Sequence, residues 1–365
     1  MITRIKWVWM WFVKSVLVVP GRVIALLFVF GTLVFPLLTS DEEILRIATF
    51  AAIFSLYAVS WDTLSGFTGQ LCLGHALFFG VAAYASALLD LHFGWSLWLT
   101  IPLGSCVGAL VGLIAGLPAL RLRGLYLGLV TMALPIILSG VIYFFTDFTG
   151  GEAGLYGLSR LTESKVTAYY TILGTVICSI FVMFKFTDAK SKIVRTGLIL
   201  RAIREDEVTA RASGIDTVKF KLLAFALSGF FAGIAGGLYA HYIRVAGPST
   251  LELIFSIQVI LWTIFGGMGT IYGPIAGVCI LYPLTEFART WPHGEEIRFI
   301  MLSLILILSL LFMPEGLTVW IRDKLEQECT RCKVTNASIR KTCRACRAPL
   351  YLEKSQTAIK GAEVK

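Results

Sequence analysis

Residues 197–238 read GLILRAIREDEVTARASGIDTVKFKLLAFALSGFFAGIAGGL. A charged island with helical patterning runs directly into a span of apolar and small residues. The island must sit in water, while the span is uniform enough for lipid, so the chain crosses a membrane and carries a patterned surface outside it. Over Arg201–Ser213 the residues favour helix, with Ala202, Ile203 and Ala210 set among Arg204, Glu205, Asp206 and Glu207. Gly214 supplies the left-handed residue that closes a helix, and Ile215 follows for the usual hydrophobic contact. Asp216 is placed to cap the next helix.

Composition agrees. The 365 residues are 57% hydrophobic and 15% charged, with a mean hydropathy of +0.79. About a quarter of a soluble domain is charged, so a polytopic all-α membrane protein is expected. The net charge of +9 falls in loops and tails, as positive-inside bias and anionic lipid require, and does not indicate nucleic acid. The N-terminal stretch alternates Trp7, Trp9 and Trp11 with Arg4, Lys6 and Lys14, a pattern suited to the headgroup level. We assign 1–22 as an interfacial cytoplasmic segment, 23–320 as the transmembrane domain with a cytoplasmic loop at 187–221, and 321–365 as a cytoplasmic tail.

Apolar runs predict spans at 23–38, 44–62, 71–89, 97–117, 125–145, 167–186, 222–242, 253–268, 271–288 and 297–314, about eight to ten in all. Cations collect at Lys185, Lys190, Lys192, Arg195, Arg201, Arg204, Arg211, Lys219 and Lys221, at Arg121 and Arg123, and in the tail. Acids mark the opposite loops at Asp41, Glu42, Glu43, Asp147, Glu152, Glu295 and Glu296. Both termini are therefore expected in the cytoplasm.

Span interiors hold almost no ionisable residues; Asp62 and Glu286 lie near span ends. An ion-coupled carrier needs such groups at mid-depth, so energy for active transport must enter from outside the lipid, although a channel stays open. No GxxxxGK[ST] occurs, so this chain makes no phosphate-binding loop of its own. Nor does it offer a catalytic acid, base or nucleophile: no enzyme is expected, and no catalytic residue is assigned.

Five ordered stretches resemble one family: AIREDEVTARASGIDTVKFKLLAFALSGFFAGIAGGLYA (202–240), LSGFTGQLCLGHALFFGVAAYASALL (64–89), LRLRGLYLGLVTMAL (120–134), FTGGEAGLYGL (148–158) and IFGGMGTIYGPIAG (264–277). They resemble the branched-chain amino acid ABC-importer permeases, in particular the LivM-type subunit, over roughly residues 40–320. The resemblance implies a bacterial or archaeal plasma-membrane permease paired with a LivH-type permease, two ABC ATPase subunits and a periplasmic binding protein. It makes the charged island the coupling, or EAA, loop, with Arg204, Glu205, Asp206, Glu207, Ala210 and Gly214 docking the ATPase. Without the resemblance, a solvated loop helix with no partner is an equal alternative. Related permeases carry urea, amides or aromatic acids, so those substrates stay open beside branched-chain amino acids.

Two glycine-rich links, weakly alike and hinting at an internal duplication, hold Gly66, Gly69, Gln70, Gly74 and His75 in one and Gly266, Gly267, Gly269, Gly273 and Pro274 in the other. They are candidates for the substrate path, because broken helices expose backbone polar groups; tight packing is the alternative at each glycine. His75 reads as a hydrogen-bonded helix residue before it reads as a ligand. On the outer side, Gly150, Gly151 and Glu152 match the family's TGG loop and are candidates for binding-protein contact, or simply a flexible loop.

The tail departs from the family. Cys329, Cys332, Cys343 and Cys346 form two CxxC knuckles separated by ten residues, the spacing of a small zinc ribbon. Structural zinc is expected, with iron or no metal as alternatives. Cys72, Cys106, Cys178 and Cys279 fall in spans and serve as small apolar residues.

Overall fold

The computed structural model describes residues 41–120, 124–188, 195–289 and 294–329, with positions 122, 331, 332, 335–337, 343 and 346 and a few between 28 and 39. The interfacial segment 1–22, most of the span 23–38, the cations Arg121, Arg123, Lys190 and Lys192, and the end of the tail lie outside the described residues. Residues 41–317 form one compact unit; 318–365 fall with 1–40 in a second.

The first unit is all-α, apart from one two-residue strand pair. Its helices are α1 (Glu42–Thr68), α2 (Ala76–Phe93), α3 (Leu97–Ala119), α4 (Leu125–Phe144), α5 (Thr146–Thr149), α6 (Lys165–Thr187), α7 (Thr196–Glu205), α8 (Glu207–Ala212), α9 (Thr217–Ile243), α10 (Leu253–Gly266), α11 (Tyr272–Ala288) and α12 (Gly294–Phe312). Strands β1 (Leu155–Tyr156) and β2 (Val245–Ala246) pair antiparallel. Among the described residues, seven helices are long and apolar enough to cross a membrane: α1–α4, α6, α9, and a last stretch in which α12 is followed by a short break.

Helices α10 and α11, in the place of the expected spans 253–268 and 271–288, are shorter than these seven, and the expected span 23–38 lies mostly outside the described residues. Helix α10 has 14 residues, about 21 Å of helix against a hydrocarbon core of about 30 Å. Helix α11 has 17. The expected span 71–89 begins only at Ala76, because residues 69–75 are not helical.

Helix α1 is the central pillar. Asp41 caps it by accepting from the Glu43 amide at 2.9 Å, and Glu42 and Glu43 suit the positive end of its dipole. Its far end closes at Gly69, whose φ of 72° lets its amide return to Ser65 O. Between these ends it is buried almost throughout, with Ile53, Leu56, Tyr57, Ala58 and Leu64 fully enclosed. The Phe54 ring lies tilted at 5.1 Å from that of Tyr282 and 5.2 Å from that of Trp262, joining α1 to α10 and α11.

Apolar burial cannot drive association between helices already in lipid, so close backbone approach has to. Gly104, Gly108, Gly112 and Gly116 repeat every fourth residue along α3 and line one face. A Cβ on Gly108 would lie 2.7 Å from Gly229 O of α9, and one on Gly112 2.6 Å from Phe225 O. The small residues of α9 thus face the glycine row of α3 at backbone contact. Outward faces of α3, α4 and α12 carry exposed Leu110, Ile114, Leu129, Ile137, Leu304 and Ile307, as a lipid-facing surface should.

The second unit contains α13 (Leu317–Leu325) and the antiparallel pair β3 (Glu326–Glu328) and β4 (Thr335–Ala337), with Gln327 opposite Asn336.

Candidate functional site

The charged island is not one helix over Arg201–Ser213. It breaks at Asp206, whose φ of −154° and ψ of 107° are extended. The Asp206 carboxylate accepts from the Val208 and Thr209 amides at 2.8 and 3.3 Å and from the Thr209 hydroxyl at 2.5 Å. A short polar side chain thus ends α7 and starts α8, serving amides that would otherwise lack partners. These donors, the Thr209 hydroxyl foremost, hold the Asp206 carboxyl below the usual carboxylate range. The other two turn signals stand where expected: Gly214 has φ 82°, with the Ile215 amide reaching Ala210 O at 3.2 Å. Asp216 accepts from the Lys219 amide at 3.2 Å, and its own carboxyl is lowered, chiefly by the Lys219 side chain.

The island's side chains divide between two faces. Leu200, Ile203 and Ala210 are buried, while Leu198 and Val208 are 55% and 65% exposed. Glu205 and Asp206 are exposed. Glu207 faces inward: its carboxylate meets Lys221 Nζ at 2.7 Å and Arg211 Nη2 at 3.0 Å, at side-chain exposures of 19% and 10% for Glu207 and Lys221. It clamps α8 to α9 and is a poor surface contact.

Arg204 is exposed, yet its guanidinium reaches back to the bundle. Its Nη1 donates to Gly66 O at the end of α1, and Arg201 lies 5.3 Å from the Phe67 ring. The buried Asp62 carboxylate, one turn back, accepts from the Gly269 amide at 2.8 Å. The two glycine links, 66–75 and 266–274, therefore meet each other and the island at one end of the bundle.

From Gly69 the chain turns back along α1 instead of leaving the bundle. Trp61 Nε1 donates to Cys72 O at 2.7 Å. His75 Nε2 lies 2.9 Å from Ser60 Oγ, and its ring stacks on Tyr57 at 5.1 Å. Ser60 stands eight residues before Thr68, so α2 starts about 12 Å inside the bundle. Its first amide, of Ala76, donates to Ser256 Oγ in the opening turn of α10 at 2.9 Å. Two helix N-termini thus meet in the interior, beside buried His75 and Ser256.

Among the path candidates, Gly66, Gly74, Gly266 and Gly273 are places of close backbone approach, where a Cβ would strike neighbouring atoms. Gly69, Gly267 and Gly269 have positive φ and make turns. Gly267 and Pro274 are buried.

At the other end, Gly150 and Glu152 are exposed, whereas Gly151 is buried. The loop that follows is anchored strongly. Buried Asp90 accepts from the Ser159 amide and hydroxyl, both at 2.7 Å. Arg244 Nε donates to Leu158 O at 2.9 Å, and His241 Nε2 lies 2.9 Å from Ser86 Oγ. These anchors are single polar residues at span ends, with no spacing to reveal them.

In the second unit, the sulfurs of Cys329, Cys332, Cys343 and Cys346 all lie within 4.8 Å of one another. The Cys329–Cys346 and Cys332–Cys343 separations are 3.5 and 3.4 Å, far beyond a disulfide bond of about 2.0 Å. Four thiolates around a tetrahedral ion at about 2.3 Å would stand about 3.8 Å apart, so the donor set can hold one metal ion. The Cys332 amide leads in holding the Cys329 thiol below its usual range.

Residues 43–310 match the family model described as branched-chain amino acid transport system / permease component. The chain is 30% identical to the high-affinity branched-chain amino acid transport system permease protein LivM of Salmonella typhimurium strain LT2, over 77% of this chain and 71% of that one. It is 28% identical to a probable branched-chain amino acid transport permease protein LivH of Methanocaldococcus jannaschii, over 65% of this chain and 79% of the relative. Identity to the ribose import permease protein RbsC of Haemophilus influenzae is 24%, over 74% of this chain and 85% of that protein.

Proposed function

The chain belongs to the family of branched-chain amino acid transport permeases, and from that premise we propose that it forms half of the membrane path of a binding-protein-dependent ABC importer for leucine, isoleucine and valine. A LivH-type permease supplies the other half, two ABC ATPase subunits dock on the cytoplasmic side, and a periplasmic protein delivers the amino acid. The chain performs no chemistry of its own.

The observation that carries this reading is the α7–α8 island, which presents exposed Leu198, Val208 and Glu205 while Arg204 and Glu207 tie it inward. A surface gripped from within transmits force, whereas a solvated loop helix needs no such ties. Positive-inside bias puts that island and both termini in the cytoplasm. ATP-driven closure of the ATPase pair switches the permeases between two states that the ATPases bind with different affinity.

Within the proposed docking set, Glu205, Asp206 and Gly214 lie on the water side of the island, and Val208 joins them. Glu207 and Ala210 act from beneath, and the exposed Arg204 reaches inward through its guanidinium. Gly150 and Glu152 are positioned for a periplasmic partner; Gly151 shapes their loop. The tail's four cysteines bind one structural zinc ion, which would fasten the β3–β4 turn.

The test is uptake by proteoliposomes holding the full complex. ATP-dependent accumulation of leucine is expected, abolished by Val208→Asp. Leucine movement by this chain without an ATPase would overturn the reading in favour of a channel or ion-coupled carrier, and preference for urea, ribose or aromatic acids would reassign the cargo.

A further inference from the structure

Gly66 O is one of the terminal carbonyls of α1 that no intrahelical amide can serve. The last turn of α1 contains no basic residue, so its negative dipole end is compensated from elsewhere. Both cations come from α7: Arg204 Nη1 donates to Gly66 O, and Arg201, one turn away on the same face, lies over the Phe67 ring. The same guanidinium also crowds the α10–α11 turn, where a Cβ on Gly269 would come within 2.7 Å of Arg204 Nη1. Gly269 has a φ of 75°, and its amide is held by Asp62 of α1 at 2.8 Å. Fully buried Asp62 keeps its second oxygen, Oδ2, without a hydrogen-bond partner, and both Arg204 and Arg201 lie near enough to act on it electrostatically.

We propose that Arg204 is a positioning residue for transport: one guanidinium conveys displacement of the α7–α8 island to the end of α1 and to the α10–α11 turn together. This deepens the importer reading above and rests on it. The island then moves two loops in concert, and both loops close the same end of the bundle. A guanidinium suits the task because its planar fork fixes direction; a lysine keeps the charge but not the geometry.

The experiment uses the whole reconstituted complex and reads the ATP hydrolysed per leucine accumulated. Arg204→Met is expected to keep the ATPase subunits bound on purification and to raise that ratio about tenfold, with Arg204→Lys raising it about threefold. An unchanged ratio overturns the proposal, as does loss of the ATPase subunits from Arg204→Met, which would make Arg204 a docking residue. Should the Met variant fail to insert, the Lys variant decides by the same ratio. Val208→Asp separates the two readings: if it leaves uptake intact, the importer reading falls, whereas loss of uptake there with an unchanged ratio at Arg204 sinks the transmission role alone.

Discussion

Glu207 and Lys221 meet at 2.7 Å, with both side chains mostly enclosed, and join the island to the helix that follows it. Thirteen residues separate them, yet the Asp206 cap and the Gly214 turn bring α8 back onto the start of α9. Removing one partner leaves the other charge desolvated, which costs more than the pair is worth intact.

Glu207→Gln and Lys221→Met are each expected to destabilise the protein by about 1–3 kcal/mol, read as a lowered Tm in detergent. The double variant should lose less than the two losses added together. Strict additivity would show that the pair is not coupled.

Asp206 makes the break between α7 and α8 pH-dependent in a defined direction. Its folded-state pKa is depressed, so the cap's contribution is fully present above the unfolded value of about 3.9 and is lost as pH falls through the lower folded value. Hydrogen-exchange protection of the Val208 and Thr209 amides should therefore persist down to about pH 4 and decline only below it. Asp206→Asn should keep protection without the acid transition, and Asp206→Ala should lose it at every pH.

The α3–α9 seam predicts an asymmetry among glycines. A Cβ at Gly229 would strike Gly108 O, whereas at Gly140 of α4 nothing lies within 4 Å. Gly229→Ala should cost about 1–3 kcal/mol through overpacking, while Gly140→Ala should be neutral or raise Tm slightly. Equal effects would show that the helices are not in backbone contact there.

For the tail, elemental analysis of purified protein should find about one zinc ion per chain. Cys343→Ser should abolish it while leucine uptake persists. Retained metal in that variant would mean that the ion is held elsewhere.

Where local chemistry decides, the sequence foretold the structure. Gly214 and Asp216 act through their own backbone neighbours, and both turn signals stand as read. The break at Asp206 is masked in the sequence, because its neighbours on both sides favour helix. The CxxC spacing of the tail likewise brought four sulfurs together. Contacts that depend on tertiary folding left no local trace: Asp62 and Gly269 stand far apart in the chain, and nothing in the Arg204 pattern separates inward from outward. Where a span begins was hidden for a related reason. A run such as 253–268 has the composition of a crossing, and only the path of residues 245–252 reveals that its helix starts partway.

That late start fixes a depth. Below Leu253 this wall of the bundle is a rod whose hydrogen bonds run along its own axis; above it the wall is a strap of eight residues, 245–252, pinned at β2 and by the 3₁₀ turn Pro248–Leu251 against Gly80. Rods tilt as units, whereas straps flex residue by residue. Bending in this wall is therefore confined to a single level, beside the Ala76–Ser256 contact, and the outer half can reshape without unwinding any helical turn.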